Sequence, residues 1–306
     1  MSALLDHVAT RAAGWSATAD RLKSRLERAR WTAFGFSIGG ALLAALASQM
    51  PDASNARTWL ARISALLLAY ATFVSARFLG AIATQDWVRA RAASEALKRE
   101  AFRFATQAAP YDDTATAEAV LDKERAAIED DVDDLLGQLV APIRPASAPR
   151  QPLDPAGYRA QRVRAQAAGF YRPRAAKYQG LATRLKRMEF LLALAASLVT
   201  VLAGVGGQRL SLGGGISFDP AALTAVLTTV GAAILAHIEA SRYEHLVVTY
   251  LASARRLEDQ DLRFDADSGR RDAWSAFVNT CEDIIAAENL SWVAKWTGDA
   301  KKEKAR

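Results

Sequence analysis

The sequence predicts an all-α membrane protein built from two tandem copies of one unit, each a transmembrane helical hairpin with cytoplasmic helical extensions. Three observations predict it. Four apolar segments are long enough to span a bilayer, basic residues cluster on one side of each hairpin, and short motifs recur at a nearly fixed offset.

The composition permits this reading and narrows it. The chain has 306 residues, 51% apolar and 24% charged. At about 150 residues per domain the length suggests two units. The average resembles a globular chain, so the apolar residues must be concentrated locally. Alanine, leucine and arginine dominate and strand formers are sparse between them, which favours helix. Lys and Arg total 39 against 33 Asp and Glu, a net charge of +6. A basic balance fits nucleic acid, anionic lipid or simple solubility. Here the basic residues bracket apolar runs, so the bilayer is the expected partner and nucleic acid is not. The single cysteine, Cys281, excludes an internal disulfide and a cysteine-based zinc site and fits a reducing compartment. The start, Met1 to His7, lacks a basic region leading into an apolar core, so no cleaved signal peptide is expected.

The first predicted span covers 31–50 and carries no charge. Twenty helical residues reach about 30 Å, the hydrocarbon thickness of a bilayer. The second covers 59–84 and contains Arg62 and Arg77. The third, 190–208, is uncharged, and the fourth, 216–240, holds Asp219 near its start and His237 and Glu239 near its end. Spans one and three are apolar around their whole circumference, whereas a soluble surface helix keeps a polar face. Turn-forming loops, 51–58 (PDASNART) and 209–215 (RLSLGGG), join the members of each pair, so each pair is an antiparallel hairpin. Trp31, Trp59, Trp87 and Phe190 stand at segment ends like interfacial anchors.

Orientation follows from the basic residues. Arg21, Lys23, Arg25, Arg28 and Arg30 precede span one, and Arg89, Arg91, Lys98 and Arg99 follow span two. Arg184, Lys186 and Arg187 precede span three, and Arg242, Arg255 and Arg256 follow span four, whereas the hairpin loops hold only Arg57 and Arg209. The positive-inside rule then places both termini in the cytoplasm and the spans in the inner membrane of a bacterial-type cell.

The same layout repeats. Ser24-Arg-Leu-Glu-Arg-Ala-Arg-Trp31 matches Thr183-Arg-Leu-Lys-Arg-Met-Glu-Phe190 at an offset of 159. Leu97-Lys-Arg-Glu-Ala-Phe-Arg-Phe104 matches Leu257-Glu-Asp-Gln-Asp-Leu-Arg-Phe264 at an offset of 160. The predicted organisation is a first unit over 1–141, a linker over 142–155 and a second unit over 156–306. The linker's five prolines forbid helix and predict a stiff spacer. Each span-two-type helix is expected to run on into the cytoplasm. An acidic amphipathic helix is expected over 115–139, with a counterpart over 270–296.

No catalytic, cofactor-binding or metal-ligating residue is predicted. His7, His237 and His245 have no metal-ligand spacing, no glycine-rich phosphate loop follows a strand, and no nucleophile stands with a base. A non-enzymatic role is therefore expected. The residues that stand out are polar groups at membrane depth: Arg77, His237 and Glu239. An offset of 160 aligns Arg77 with His237. Such groups are costly in lipid and line a pore or gate, unless they snorkel to the headgroups. Gly35 and Gly39 form a small-xxx-small pair, extended by Gly40, that suits close helix packing in lipid.

These features resemble the SLATT-type two-transmembrane proteins of bacterial conflict systems. The likeness rests on Arg187-Met-Glu-Phe190, on Trp87…Arg91…Glu95-Ala-Leu-Lys-Arg-Glu100, on Cys281-Glu-Asp-Ile-Ile…Glu288…Trp292, and on the lead-in Tyr171-Arg-Pro-Arg-Ala-Ala-Lys-Tyr178. Taken twice, it covers roughly 11–139 and 156–296. The first copy lacks the Ile-Ile…Glu…Trp match. The resemblance implies a membrane effector in prokaryotic defence, pore-forming or membrane-disrupting, acting downstream of a separate sensor or nucleotide signal. Four spanning helices are too few for a wide pore, so a homo-oligomer is expected. The alternatives are a non-conducting membrane scaffold that docks a cytoplasmic partner and a small-ion channel or transporter.

Overall fold

A computed structural model of the chain describes residues 2–50, 54–142, 147–206, 210–211, 217–218, 220–266 and 273–288. Nearly all of them are helical. Helix α1 spans Ala3–Ser48, α2 Asn55–Phe78, α3 Ala81–Ala105 and α4 Ala117–Asp130, followed by a 3-10 turn at Asp133–Gln138. The second half opens with α5 at Pro155–Tyr158, a π-helical stretch at Arg159–Tyr171 and α6 at Arg172–Gly206. Then come α7 at Pro220–Ser241, α8 at Tyr243–Ala266 and α9 at 273–288. The element order therefore repeats: a long helix, a span, a break, an amphipathic helix of 25 or 24 residues, and a shorter helix.

Four helices are long and apolar enough to cross a membrane. Their apolar windows are only 6% to 22% buried within the protein. The helices thus turn large side chains outward, among them Trp59, Leu66, Phe73, Phe190, Leu198 and Val201. Water would oppose that exposure, whereas lipid matches it. The chain is an all-α membrane protein.

The two compact units cut across the two sequence copies. One unit comprises Met1–Arg25, Ala81–Ala176 and Val247–Arg306, and the other Leu26–Gly80 and Lys177–Leu246. Each therefore draws on both copies. The second unit holds the spans. Its core packs Ala41 of α1 with Ala182 and Leu185 of α6 and Val226, Val230 and Ile234 of α7. Phe34, Ile38 and Tyr178 flank this core. The first unit buries Leu5, Val8 and Trp15 of α1, Leu97 and Phe102 of α3, Leu257 of α8 and Ile285 of α9.

Several expected boundaries move. The second span does not run on into the cytoplasm as one helix. Helix α2 ends at Phe78 and α3 starts afresh at Ala81. The break falls at Leu79-Gly80, where glycine weakens helix. The matching break after α7 falls at Arg242, which takes a left-handed φ of 49°. Its N–H closes the helix by donating to the carbonyls of Ile238 at 3.0 Å and Glu239 at 3.2 Å. The fourth span starts at Pro220, because Leu210-Ser211 and Ser217-Phe218 form a two-residue antiparallel ladder just before it. Gly213 to Gly215 lie outside the described residues.

The acidic helix also ends early, at Asp130 instead of Leu139. The following 3-10 turn buries Leu135, and Val132, which caps its start, is buried beside it in sequence. Its counterpart is described over 273–288 only. The proline-rich segment is not a free spacer over 147–155. Ala148 and Pro149 are buried, Leu153 N–H donates to the Ala105 carbonyl at 2.8 Å, and Arg150 pairs with Asp6. Apolar burial and these bonds hold it against the first unit's own helices. Asp154 accepts from Gly157 N–H at 2.8 Å and caps α5, with Pro155 at the first helical position.

Within the spans, the close approach of α1 and α2 occurs at Gly40. A Cβ there would lie 2.7 Å from Leu68 Cγ and 3.3 Å from the Ser64 carbonyl oxygen. Ser64 Oγ donates back to the Gly40 carbonyl at 2.8 Å, a bond that water cannot contest inside a bilayer. Gly40→Ala is expected to push the pair apart and cost about 1–3 kcal/mol, the usual penalty of overpacking. Gly35→Ala, where a Cβ meets nothing within 4 Å, is expected to cost nothing. Thermal unfolding of both variants in detergent checks this.

Candidate functional site

The polar residues singled out in the spans are not brought together. Arg77 is exposed in the last turn of α2, with its guanidinium 5.9 Å from the centroid of the Phe78 ring. Glu239 is exposed two residues before the end of α7. Both sit where long side chains reach the interface. His237 is buried, and its Nε2 lies 3.1 Å from the Tyr243 hydroxyl. Its ring packs, tilted, against Trp31 at 4.5 Å and Phe34 at 4.7 Å between centroids. Arg77 stands one residue before its helix end and His237 four, so measured from the helix ends the two do not share a level. Of the glycines, Gly35 is open, a Cβ added at Gly39 would lie 3.7 Å from Leu67 Cδ1, and Gly40 marks the tight approach.

The strongest concentration of chemistry lies in the other unit. Helix α3 carries Arg91, Glu95 and Lys98 at i, i+4 and i+7, one stripe of its surface. Arg91 Nη2 donates to both carboxylate oxygens of Glu288, at 2.8 and 3.0 Å. Lys98 Nζ donates to Glu95 Oε1 at 2.7 Å. Arg162, on the π-helical stretch, is 4% exposed and forks onto Glu282, with Nη2 to Oε2 at 2.8 Å and Nε to Oε1 at 3.0 Å. Arg162 Nη1 also faces Glu95 Oε2 at 3.6 Å, and the guanidinium lies 4.7 Å over the Phe102 ring. Tyr158 donates to Glu282 Oε1 at 3.0 Å.

The π-helical winding makes this possible. Tyr158, Arg162, Val163, Ala167 and Tyr171 are all buried, and they recur about every four to five residues. An α-helix would rotate that stripe out of the core, whereas i to i+5 bonding keeps it facing inward. Sequence periodicity tuned to 3.6 residues therefore missed Arg162.

Three cations and three carboxylates thus close on one another with no net charge. Burial pushes the Glu95 carboxyl up, but Lys98, Arg162 and Arg91 outweigh it and hold it at about 2. Burial likewise pulls Arg91 and Arg162 down, and Glu288 and Glu282 more than offset it, so both stay charged. Burial also raises the Cys281 thiol, with Glu282 adding to the effect, which keeps it protonated and unreactive. Among the described residues no cluster of His, Cys, Asp and Glu could hold a metal ion. The arrangement binds helices together instead of presenting a reactive group.

The network joins the two sequence copies. Glu282 and Glu288 belong to α9 of the second copy, and Arg91, Glu95 and Lys98 to α3 of the first. Further hydrogen bonds follow the same seam. Arg103 Nε donates to Asn279 Oδ1 at 2.7 Å, Trp274 Nε1 to the Thr106 carbonyl at 3.2 Å, and Asn279 Nδ2 to the Ala109 carbonyl at 3.2 Å. Arg91, Glu95, Lys98, Glu282 and Glu288 all lie within the motifs that carried the resemblance. Trp292, the last residue of those motifs, lies outside the described residues.

Two family models match parts of the chain. Residues 158–292 match the family model described as "SMODS and SLOG-associating 2TM effector domain 1". Residues 13–119 match the model described as "Protein of unknown function (DUF4231)". No curated relative and no solved structure matches the chain.

Removing one partner strands a buried charge and typically costs about 3–5 kcal/mol. Arg162→Met and Glu282→Leu are each expected to destabilise the protein by that order, and the double variant by less than either. Chemical denaturation of the three variants in detergent measures the difference. Glu95 supplies a pH dependence. Its folded pKa lies below the ordinary 4.5, so its contribution is fully present above about pH 4.5 and is lost as pH falls toward 2. Glu95→Gln is expected to flatten the acid limb of the stability profile over that window.

Proposed function

Starting from the SLATT-type two-transmembrane effector domain in the second half of the chain, we propose a non-enzymatic membrane effector of prokaryotic defence. The proposal places the spans in the inner membrane with both termini in the cytoplasm. Several copies assemble and breach the bilayer when a separate sensor or a nucleotide signal acts on the cytoplasmic helices. The observation that carries this reading is the union of four membrane-crossing helices with a separate compact helical unit closed by a buried ionic network. In this reading the cue moves the unit from the paired arrangement to an unpaired one. A cue that separates α9 from α3 has a discrete transition to act on.

Assembly of several chains is part of the proposal for a physical reason. Arg77 and Glu239 are exposed near helix ends and His237 is sealed among aromatic rings, so none of them lines a passage through one chain. The same placement supports a second reading, a scaffold that does not conduct and docks a cytoplasmic partner.

Expression in a bacterium, with membrane fractionation and a voltage-sensitive dye, separates the two. The effector reading expects the protein in the membrane fraction and depolarisation with growth arrest, both stronger in Glu288→Gln than in the parent. Membrane location with an unchanged potential in both forms, even with neighbouring genes co-expressed, supports the scaffold. Recovery in the soluble fraction overturns both.

A further inference from the structure

The basic residues that flank the spans are equivalent in sequence but not in the structure. In the first copy Arg89 forks onto Asp134, Arg91 onto Glu288, Lys98 meets Glu95, and Arg21 donates to the Gln138 carbonyl. These charges are spent inside the protein. On α6 the division is different. Lys186 pairs with Glu244, whereas Lys177, Arg184 and Arg187 are exposed and make no ion pair among the described residues.

The three cations continue an outward apolar stripe. Lys177, Arg184, Leu191 and Leu198 recur every seven residues, which keeps them on one face of the helix, and Arg187 stands one turn nearer the span than Arg184. Leu191 and Leu198 are exposed on the apolar segment, where lipid is their match. Glu189, the one acid of α6, is turned about 140° from Arg184 and stands off the stripe. Phe190, 63% exposed, marks the interface where the span begins. Along the axis Arg187 lies ~4.5 Å and Arg184 ~9 Å before it, and their side chains lean further toward the helix N-terminus. That depth is the headgroup layer and its edge, since the polar region adds ~5–8 Å to each face of the hydrocarbon.

We propose that the start of the α6 span is a docking face for anionic phospholipid, with headgroup phosphates held by Arg184 and Arg187 and acyl chains lying along Leu191 and Leu198. Charge complementarity selects the lipid class. A guanidinium forks onto phosphate oxygens, and a zwitterionic headgroup offsets that attraction with its own cation. Lys177 shares the stripe but lies ~20 Å from Phe190, beyond two screening lengths at physiological salt, so it contributes little. The proposal rests on the membrane location of α6 and not on the effector reading.

The test uses the full-length protein in detergent micelles, mixed with phosphatidylglycerol and phosphatidylcholine and read by native mass spectrometry for retained lipid. Each arginine is expected to favour phosphatidylglycerol about fivefold, equivalent to ~1 kcal/mol for one basic side chain near an anionic surface, so the parent prefers it about 25-fold. The double variant Arg184→Gln, Arg187→Gln is expected to lose that preference, and Arg184→Lys, Arg187→Lys to keep most of it. Lys177→Gln removes one charge from the same stripe and is expected to behave as the parent. All these positions are exposed, so the variants are expected to fold. Equal retention of the two lipids by the parent overturns the proposal. A preference that survives in the Gln double variant overturns the placement on α6. A loss in Lys177→Gln as large as in either single arginine variant also overturns it, because the preference then follows net charge and not position.

Discussion

Six charges, Arg91, Lys98 and Arg162 against Glu95, Glu282 and Glu288, four of them buried and Arg91 and Glu95 half-buried, hold the first unit to one arrangement. Any one of them alone in an apolar core would be expelled or neutralised. Together they pair through direct bonds of 2.7 to 3.0 Å, and Glu95 Oε2, which accepts no hydrogen bond among the described residues, faces Arg162 Nη1 at 3.6 Å. The network is demanding about geometry, because guanidinium and carboxylate must meet fork to fork. It therefore fixes the register of α3, the π-helical stretch and α9 more sharply than apolar packing does. The π-helical winding is itself a consequence, since Arg162 and the stripe around it must face inward.

The spans obey a different rule. There the apolar surface faces outward, and the bonds that matter are those that lipid cannot replace. The Ser64 hydroxyl on the Gly40 carbonyl is one, and the His237–Tyr243 contact inside its aromatic shell is another. One chain thus carries two opposite solutions to folding. The first unit hides its apolar residues and pairs its charges within. The second displays its apolar residues and keeps most of its long cations near the ends of its apolar segments.

Much of the architecture was legible in the sequence because it rests on length and hydropathy. Twenty uncharged residues in a row declare a span whatever surrounds them, and basic residues gathered at segment ends declare the flanks. The breaks at Leu79-Gly80 and Arg242 were less legible. One glycine is a weak signal, and arginine in a left-handed conformation gives no local sign at all. Gly35 and Gly39 advertised a packing motif, but the face that α2 meets is the one bearing Gly40, and only the helix rotation decides that. The ionic network was half visible. Its residues lay in the resembling motifs, yet Arg91 and Glu288 are 197 positions apart and no periodicity links them.

That separation sets an order of events during synthesis. At about 5–20 residues per second, some ten to forty seconds pass between the emergence of Arg91 and that of Glu288. Throughout that interval Arg91 lacks the carboxylate it forks onto, whereas Glu95 and Lys98 already stand together on α3. A nascent or truncated chain is thus marked by uncompensated charge in what should be a core. Completion of α9 is the step that erases the mark.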